Sequence, residues 1–388
     1  MSNVIAVNYT FKINYEGRDN MQARIILVGG FLGAGKTSLL FEAANRLVKD
    51  GKRVGLITND QAPELVDTTF LKHMNGAIKE VSGSCFCCNY EGFTDAILHL
   101  IKDQQADTII AEPVGSCTDL SATILQPLKE HFGKDFVIAP LTVLIDPERL
   151  SDILDGGKSE LHPSAVYIIR KQIEEADIIA ISKTDLLTRD EVNKLKMRIA
   201  KEWPKATVLA ISSKTGEGLE KWLHEVTNRT DAGTNLAEVD YDIYAEGEAV
   251  LGWLNATIKL KGDPADWDRF AADLLNALGR RFDDSNSAIG HVKLIIESGN
   301  DFVIGNLTGK KESLSIRGSA GVGKEAKMTL NARVQTAPED LERVVLEEIA
   351  HVCGADVIWE ILALKCLSPG RPNPTYRYDH VVTIPTKQ

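Results

Sequence analysis

The chain has 388 residues, of which 44% are hydrophobic and 26% charged, a composition typical of globular proteins that excludes a disordered or fibrous chain. Its 44 Lys and Arg against 55 Asp and Glu leave a formal net charge of −11, which would repel nucleic acid and anionic membranes. No stretch approaches the roughly 18 apolar residues that span a bilayer, and residues 1–20 lack the apolar core of a secretion signal, so we predict a cytoplasmic protein that binds neither nucleic acid nor membrane.

The first half of the chain alternates short, nearly continuous apolar runs with longer amphipathic stretches. Such runs are typical of strands covered on both faces, and they predict strands at 24–28, 53–58, 108–112, 141–146, 177–182 and 207–211. The longer stretches predict helices at 36–49, 94–102, 164–175, 190–201 and 219–226. Strand–helix alternation of this kind predicts an α/β domain with a mostly parallel sheet.

The pattern changes after a polar, glycine-containing stretch near residue 230. The second half predicts strands at 249–260, 291–297, 302–308, 328–335 and 357–364, and helices at 266–280 and 338–351. This order of elements is that of a ferredoxin-like α+β domain. A longer hairpin is expected around 310–324, and we expect its glycine-rich part, residues 318–323, to be a flexible loop.

A glycine-rich loop stands between the first predicted strand and the first predicted helix. Residues 30–37, Gly-Phe-Leu-Gly-Ala-Gly-Lys-Thr, match the pattern GxxxxGK[ST]. Glycines let such a loop close around an anion with its N–H groups pointing inward, and the helix N-terminus adds a favourable dipole. We therefore predict a nucleoside triphosphate site, in which Thr37 binds Mg²⁺. The predicted phosphate-binding residues are Gly30, Gly33, Ala34, Gly35, Lys36, Thr37 and Ser38.

Two later segments indicate which base is bound. Residues 182–185, Ser-Lys-Thr-Asp, end a predicted strand and are similar to the Asn-Lys-x-Asp guanine motif, with Ser in the first position. A carboxylate at Asp185 can accept from both guanine N1–H and the exocyclic amine, a donor pair that adenine lacks, and the stem of Lys183 can lie across the base. Ser213 and Lys214 lie in a stretch similar to the Ser-Ala-Lys loop that approaches the guanine carbonyl. The sequence therefore predicts GTP and GDP rather than ATP.

Three of the six cysteines, Cys85, Cys87 and Cys88, lie within four residues. This clustering indicates a reducing compartment and metal or redox chemistry rather than a disulfide framework. In an extended segment Cys85 and Cys87 would share one face, and Cys88 would join them if the chain turned. Three thiolates suit Zn²⁺ or a related soft divalent ion with an open fourth position; buried packing and a regulatory disulfide are the alternatives. Cys117 either reaches this site or packs in the core.

The phosphate loop at 30–37 together with Gly-Ser-Cys-Phe-Cys-Cys at 83–88 resembles the CobW-type metallochaperone GTPases. That family is related to the GTPases that insert nickel into hydrogenase and urease. Asn59-Asp60 after the second predicted strand and Glu-Pro-Val-Gly at 112–115 add to the resemblance, which covers residues 23–230. The chain departs from the family at Gln61 and Ala62, where Phe-Gly is usual, and it lacks the histidine-rich stretch of many members.

The resemblance implies slow, Mg²⁺-dependent hydrolysis of GTP, coupled to delivery of Zn²⁺ or Co²⁺ to a client metalloprotein or a corrinoid-dependent enzyme. It implies catalytic roles for Lys36, Asp60 and Glu112, a Mg²⁺-binding role for Thr37 and Glu112, nucleotide contact by Gly115, and metal binding by Cys85, Cys87 and Cys88. Asp60 is expected either as a fourth ligand of the delivered ion or as a Mg²⁺ ligand. Two alternatives stay open: a GTP switch that chaperones a corrinoid enzyme through regulatory cysteines, and a P-loop kinase acting on a small metabolite.

Length and pattern together predict a P-loop GTPase domain followed by a smaller ferredoxin-like domain. The expected segments are an N-terminal extension (1–22), the GTPase domain (23–230), a linker (231–240), the ferredoxin-like domain (241–368) and an extended, proline-containing tail (369–388). The tail either wraps its own domain or docks a partner. The oligomeric state is left open, a homodimer included.

Overall fold

The computed structural model describes residues 22–60, 65–72, 77–156, 161–309 and 314–384. The N-terminal extension expected at 1–22 therefore lies outside the described residues apart from Gln22, as do Gln61, Ala62 and the last four residues of the tail. Within the described ranges, no helix is both long enough and apolar enough to cross a membrane.

The first sheet has eight strands within the described ranges. They are β1 (Ala23–Gly29), β2 (Val54–Asp60), β3 (Ala77–Ser82), β4 (Thr108–Glu112), β5 (Phe136–Ile138), β6 (Thr142–Ile145), β7 (Ile178–Ile181) and β8 (Thr207–Ala210). Their order is β3-β2-β4-β1-β6-β7-β8, with β5 beside β1, and neighbouring strands run parallel. The predicted parallel α/β domain is confirmed, and each predicted strand ends within two residues of its expected bounds.

Helices connect these strands, and two further helices follow β8. They are α1 (Lys36–Lys49), α2 (Val66–Lys72), α3 (Tyr90–Lys102), α4 (Gln126–Phe132), α5 (Pro147–Leu154), α6 (Pro163–Glu174), α7 (Arg189–Glu202), α8 (Leu219–Asn228) and α9 (Tyr241–Ala249). Helix α3 begins four residues before its predicted start because the Asn89 side chain caps it, accepting a hydrogen bond from the Gly92 N–H. Helix α5 was not predicted; Asp146 caps it, and Pro147 occupies its first turn.

The second sheet is antiparallel and carries the predicted ferredoxin-like core. Its elements are β9 (Gly252–Asp266), α10 (Trp267–Asp284), β10 (Ile289–Ser298), β11 (Asp301–Leu307), β12 (Ser315–Ser319), β13 (Val322–Val334), α11 (Pro338–Cys353) and β14 (Val357–Leu367). The strand order is β12-β11-β10-β13-β9-β14. In this order β10, β13, β9 and β14 form the four ferredoxin-like strands, and β11 and β12 extend the sheet beyond β10.

The expectation of a flexible loop at 318–323 is wrong. This segment forms the end of β12 and the start of β13, and Ser319 pairs with Phe302 on β11. Gly321 lies between the two strands with φ +62°. Its glycines therefore form a tight turn, which needs the left-handed conformation rather than flexibility.

The segment expected as a linker, 231–240, lies against the first sheet. The carboxylate of Asp177 accepts hydrogen bonds from the backbone N–H groups of Gly233 at 2.6 Å and Thr234 at 2.9 Å. Ala232 and Ala237 are buried. These contacts fix the point at which the chain leaves the first sheet for the second.

Candidate functional site

A cavity of about 870 Å³ separates the carboxyl ends of the first sheet's strands from one face of the second sheet. The loops at this end of a parallel sheet are where α/β proteins bind ligands. Twelve of the predicted site residues line the cavity: Gly33, Gly35, Lys36, Thr37, Ser38, Asp60, Glu112, Gly115, Lys183, Asp185, Ser213 and Lys214. The opposite wall includes His291, Lys293 and Arg333, which no sequence pattern singled out.

The phosphate loop has the backbone that its motif requires. Gly30 and Gly35 have φ values of +127° and +89°, in the region that glycine adopts without strain. A Cβ atom on Gly30 would lie 2.3 Å from the Leu144 carbonyl oxygen, so only glycine fits there. Helix α1 begins at Lys36 without a side-chain cap, which leaves its first N–H groups directed at the loop, as in an anion site.

Oxygen atoms suited to Mg²⁺ converge beside this loop. The Thr37 hydroxyl donates to the Glu112 carboxylate at 3.0 Å, and the Lys36 ammonium lies 3.7 Å from the same group. Burial raises the pKa of Glu112, and the charge of Lys36 opposes that rise. Asp67, at the start of α2, also contacts the Thr37 hydroxyl. One hydroxyl and two carboxylates are the hard oxygen donors that Mg²⁺ takes alongside phosphate, so these residues fit the ion.

The two segments predicted to bind guanine meet at the far end of the cavity. The Ser212 hydroxyl donates to Asp185 Oδ1 at 2.7 Å, and Lys214 Nζ lies 3.8 Å from Asp185 Oδ2. Lys183 has a left-handed backbone, and its ammonium lies 2.9 Å from Asp146. Ser182, in place of the usual Asn, donates to the Ile145 carbonyl at 3.1 Å. The base loop is therefore tied to the end of β6.

Asp60 lies in the cavity wall, where it forms a buried ion pair with the guanidinium of Arg333 from β13. Its carboxylate is not among the three side chains that group as a candidate metal site within the described residues. The neighbouring Asn59 holds the cysteine segment: its amide donates to the Val81 and Ser84 carbonyls at 2.8 Å, and its carbonyl accepts from the Phe86 N–H at 3.0 Å. The end of β2 thus touches both the cavity and the cysteines.

The three clustered cysteines form a compact group of free thiols. Cys85 Sγ lies 3.0 Å from Cys87 Sγ and 3.1 Å from Cys88 Sγ, and Cys87 and Cys88 are 3.8 Å apart. The chain turns here, which is the condition under which Cys88 was expected to join the other two: the backbone N–H of Cys88 donates to the Cys85 carbonyl. The turn brings all three sulfur atoms within 4.8 Å of one another, a spacing suited to one soft metal ion.

Cys117 lies close enough to this group to shift the pKa values of Cys85 and Cys87. Because Cys85 accepts hydrogen bonds from Cys117, Cys87 and Cys88, its pKa falls well below the ordinary value for a thiol. The pKa values of the thiols that donate to Cys85 are raised instead, and that of Cys88 rises to about 11. Cys85 is therefore the thiol of this group that loses its proton most readily, as a metal ligand must. The position of Cys117 two residues after Gly115 was the available signal, and the sequence left its role open.

The tail leaves the second sheet and crosses the cysteine turn. The backbone N–H of Asn373 donates to Cys88 Sγ at 3.3 Å, and that of Thr375 donates to the Cys87 carbonyl at 2.8 Å. The Tyr376 ring packs edge-on against Tyr90 of α3, with ring centres 5.1 Å apart. The tail thus covers the outer side of Cys88, the most exposed of the three thiols.

A phosphate loop at the carboxyl end of a central parallel strand is the arrangement of P-loop nucleotide-binding proteins, and the first domain has it. Residues 24–210 match the family model described as "CobW/HypB/UreG, nucleotide-binding domain". This match confirms that residues 24–210 resemble the CobW-type proteins.

Curated relatives share this part of the chain. The zinc chaperone YjiA of Escherichia coli is 26% identical over 194 residues, which are 48% of this chain and 57% of the relative. The zinc-regulated GTPase metalloprotein activator 1 of Schizosaccharomyces pombe is 26% identical over 185 residues, 46% of this chain and 43% of the relative. The chain thus spans about half the length of these curated relatives.

Two solved structures are similar at low identity. HypB from Helicobacter pylori in complex with nickel is 19% identical, with a TM-score of 0.39, and covers 57% of this chain and 92% of that chain. The zinc-bound YjiA GTPase from E. coli is 15% identical, with a TM-score of 0.34, and covers 84% of this chain and 99% of that chain.

Proposed function

We propose that this protein hydrolyses GTP and uses the nucleotide to control delivery of a divalent transition-metal ion. The ion would be held by Cys85, Cys87 and Cys88 and passed to a client metalloprotein or a corrinoid-dependent enzyme. The observation that carries the proposal is the end of β2, where Asp60 lies in the cavity wall and the preceding residue, Asn59, holds the cysteine turn. A change in the bound phosphates can therefore affect the thiols through two adjacent residues of β2.

In the proposed reaction the residues of the first sheet bind and orient the triphosphate. Lys36 and the N–H groups of the loop hold the β- and γ-phosphates. Thr37, Glu112 and Asp67 would hold Mg²⁺, which supplies charge neutralisation at the phosphate oxygens when it is bound. Gly115, which follows Glu112 in the same loop, lines the cavity with them. Either Asp60 or Glu112 would position the attacking water.

The base is proposed to be guanine because the carboxylate of Asp185 can accept hydrogen bonds from two donors of the same base. Its carboxylate is held by Ser212 at 2.7 Å and is flanked by Lys214. Lys183 and Ser213 complete the proposed base site. An amine and an N1–H side by side match a carboxylate, and adenine offers no such pair.

The proposed cargo is Zn²⁺, with Co²⁺ as the next candidate. Thiolate ligands favour soft or borderline ions over Mg²⁺, and the curated relatives are named as zinc chaperones or as a zinc-regulated activator. A metal ion must displace the protons of Cys87 and Cys88, whose pKa values are raised. The ferredoxin-like domain, proposed as residues 241–368, would recognise the client.

Metal titration in two nucleotide states tests the proposal. Zn²⁺ and Co²⁺ are titrated into the reduced protein with GDP and with a non-hydrolysable GTP analogue, against a competing chelator. The metal should bind more tightly in one nucleotide state, by about 1–3 kcal/mol if the coupling is typical, and by linkage the metal must shift nucleotide affinity equally. Equal affinities in both states would contradict delivery under nucleotide control.

A cysteine series tests the metal site itself. Serine at Cys85, Cys87 and Cys88 should abolish binding of one ion per chain, whereas Cys366→Ser, a matched change at a half-buried cysteine of the second sheet, should not. Wild-type protein that hydrolyses GTP yet binds no metal would favour the GTP switch with regulatory cysteines. Turnover that requires a small metabolite as phosphate acceptor would favour a kinase.

A further inference from the structure

A lysine of the second sheet reaches into the phosphate site of the first. Lys293, on β10, places its ammonium 2.8 Å from both carboxylate oxygens of Asp67 and 3.5 Å from the Thr37 hydroxyl. Its side chain is only 17% exposed. Because Thr37 belongs to the phosphate loop, an ammonium at this distance is within reach of a bound triphosphate.

The strand geometry explains why Lys293 faces the cavity. Its neighbours along β10, Val292 and Leu294, point to the opposite face and are buried with α10 and α11 in the second core. Side chains alternate along a strand, so Lys293 must project from the other face, toward the first sheet. On the adjacent strand, Asn331 pairs with Lys293 in register and accepts a hydrogen bond from the Val66 N–H of α2 at 2.8 Å. The second sheet therefore holds α2 at two consecutive residues, Val66 and Asp67.

The charged side chains around the site allow a second cation, beside Lys36, to contact the γ-phosphate. Lys36 and Lys293 face the same space, and the carboxylates nearest to them belong to Glu112 and Asp67. During phosphoryl transfer, negative charge spreads over the γ-phosphate oxygens, and an additional positive side chain stabilises it. Many GTP-hydrolysing proteins take this second cation from a partner or from another part of the chain.

We propose that Lys293 is this second cation, a catalytic residue that the second sheet supplies to the γ-phosphate. The inference rests on the proposed GTP hydrolysis. In that reaction the oxygen of water forms a bond to the γ-phosphorus, the bond to the bridging oxygen breaks, and its electron pair stays on GDP while the water proton goes to the released phosphate. The Lys293 ammonium exchanges its contact with Asp67 for a γ-phosphate oxygen and stabilises the charge that develops there.

This assignment gives the second sheet a direct part in the reaction. An ammonium that touches only the γ-phosphate contributes to GTP binding and hydrolysis but not to GDP binding. Any movement of β10 relative to the phosphate loop then changes the hydrolysis rate. A client bound to the second sheet would thereby act on turnover without touching the nucleotide.

The test compares Lys293→Met, which removes the charge and keeps most of the apolar stem, with Lys293→Arg, which keeps the charge. Lys365→Met, at an exposed lysine of β14 in the same sheet, is the matched control. We expect Lys293→Met to lower kcat at least about 100-fold, by analogy with cationic residues of this kind. Lys293→Arg should restore a large part of the loss, and Lys365→Met should stay within about twofold of the natural protein.

Nucleotide affinities separate a catalytic role from a structural one. The affinities for GDP and for a non-hydrolysable GTP analogue are measured for each variant, with the melting temperature as a check on folding. Lys293→Met should weaken the affinity for the analogue about tenfold, because one charge–phosphate contact is lost, while the affinity for GDP should change by no more than about threefold. Equal weakening of both nucleotides, or a loss of kcat that Lys293→Arg does not reduce, would show that Lys293 only holds α2 and would overturn the proposal.

The affinity measurement also distinguishes this inference from the proposed function. If the natural protein binds guanine nucleotides without hydrolysing GTP, the proposed hydrolysis fails, and an unchanged ratio of analogue to GDP affinity in Lys293→Met would overturn the γ-phosphate contact as well. A changed ratio would support that contact alone. If Lys293→Met does not fold, Lys293→Gln replaces it with the same expected results.

Discussion

Arg333 on β13 of the second sheet is paired with Asp60 at the end of β2 in the first sheet. Arg333 is 1% exposed, and its guanidinium also donates to the Leu254 carbonyl and the Asn255 side chain and lies 4.5 Å from the Trp253 ring centre. A buried charge held by this many partners fixes the position of one sheet against the other. Both residues line the cavity that contains the phosphate loop, so this contact joins two of its walls.

Removing one charge of this pair should destabilise the protein more than removing both charges. Arg333→Met leaves the Asp60 carboxylate buried without its cation and should lower the free energy of unfolding by about 3–5 kcal/mol. The double variant with Asp60→Asn should recover part of that loss. Chemical denaturation of the two variants measures the difference. Arg343→Met, at an exposed residue of α11, is the control and should change the stability little. A double variant no more stable than Arg333→Met would contradict the pairing.

Asp185→Asn should change the base that is bound. An amide can donate to the carbonyl that xanthine carries where guanine has its amine, so affinity for GDP should fall and affinity for xanthosine diphosphate should rise. A fluorescent-nucleotide titration with both bases measures the exchange. Asp190→Asn, at an exposed residue of α7, should leave both affinities unchanged. Natural protein that binds ADP as tightly as GDP would refute the guanine assignment.

Metal binding should release fewer protons than there are thiols. The hydrogen bonds from its neighbours lower the pKa of Cys85 well below its ordinary value, whereas the pKa values of Cys87 and Cys88 are raised. We therefore predict that Cys85 is the one ligand that is a thiolate at neutral pH, and that binding of one Zn²⁺ by the three releases about two protons. Affinity must rise with pH, because the bound state holds fewer protons. Calorimetry in buffers of different ionisation enthalpy counts them, and release of about three would contradict a pre-formed thiolate at Cys85.

Glu248 should make the protein less stable as pH rises. Burial raises the pKa of Glu248 to about 8 from the ordinary value of 4.5. Between these values the unfolded chain has lost the proton that the folded chain keeps, so stability falls with increasing pH and levels off above about pH 8. Glu248→Gln cannot ionise, and its melting temperature should exceed that of the natural protein by a margin that grows across this interval.

The control for this effect lies on the same helix. Glu246 is exposed on α9, and Glu246→Gln should differ from the natural protein by the same small amount at every pH. Melting temperatures at about pH 5, 7 and 8.5 are sufficient, without added metal. A margin for Glu248→Gln that does not change with pH would mean that this carboxyl group ionises at the same pH in the folded and unfolded chain.

Removing the tail should expose Cys88. Deletion of residues 371–388 removes the Asn373 N–H that donates to Cys88 Sγ and the Tyr376 ring that packs against Tyr90. Alkylation of Cys88 by iodoacetamide should become faster, while Cys87, which is 2% exposed, changes less. Mass spectrometry of the modified peptide gives the two rates. Equal alkylation of Cys88 with and without the tail would contradict its role as a cover.

Most of the correct predictions came from patterns in consecutive residues of the sequence. The phosphate loop could be predicted because strand, loop and helix are consecutive, and the pairing of Asp185 with Ser212 follows from two adjacent parallel strands, β7 and β8. At the cysteines the sequence left open whether the chain is extended or turned, and the turn is set by the side chain of Asn59 and the start of α3. The roles assigned to individual site residues stay predictions.

Contacts between distant parts of the chain could not be predicted. Asp67 and Lys293 are 226 residues apart, and Asp60 and Arg333 are 273 apart. Nothing in the local sequence around Lys293 distinguishes it from an exposed lysine on an amphipathic strand. Its place depends on how the two sheets pack, and that packing is set by side chains from both.

The second sheet is attached to the first at both ends of its own chain segment. On entry, residues 231–240 are held by Asp177, and on exit the tail is held at Cys87 and, through the Arg377 side chain, at Asp119. A rigid body fixed at two points keeps a single rotation, about the line that joins them. The contacts of Asp60 with Arg333 and of Asp67 with Lys293 oppose this rotation, so once they are broken a single angle would set the separation between Lys293 and the phosphate loop.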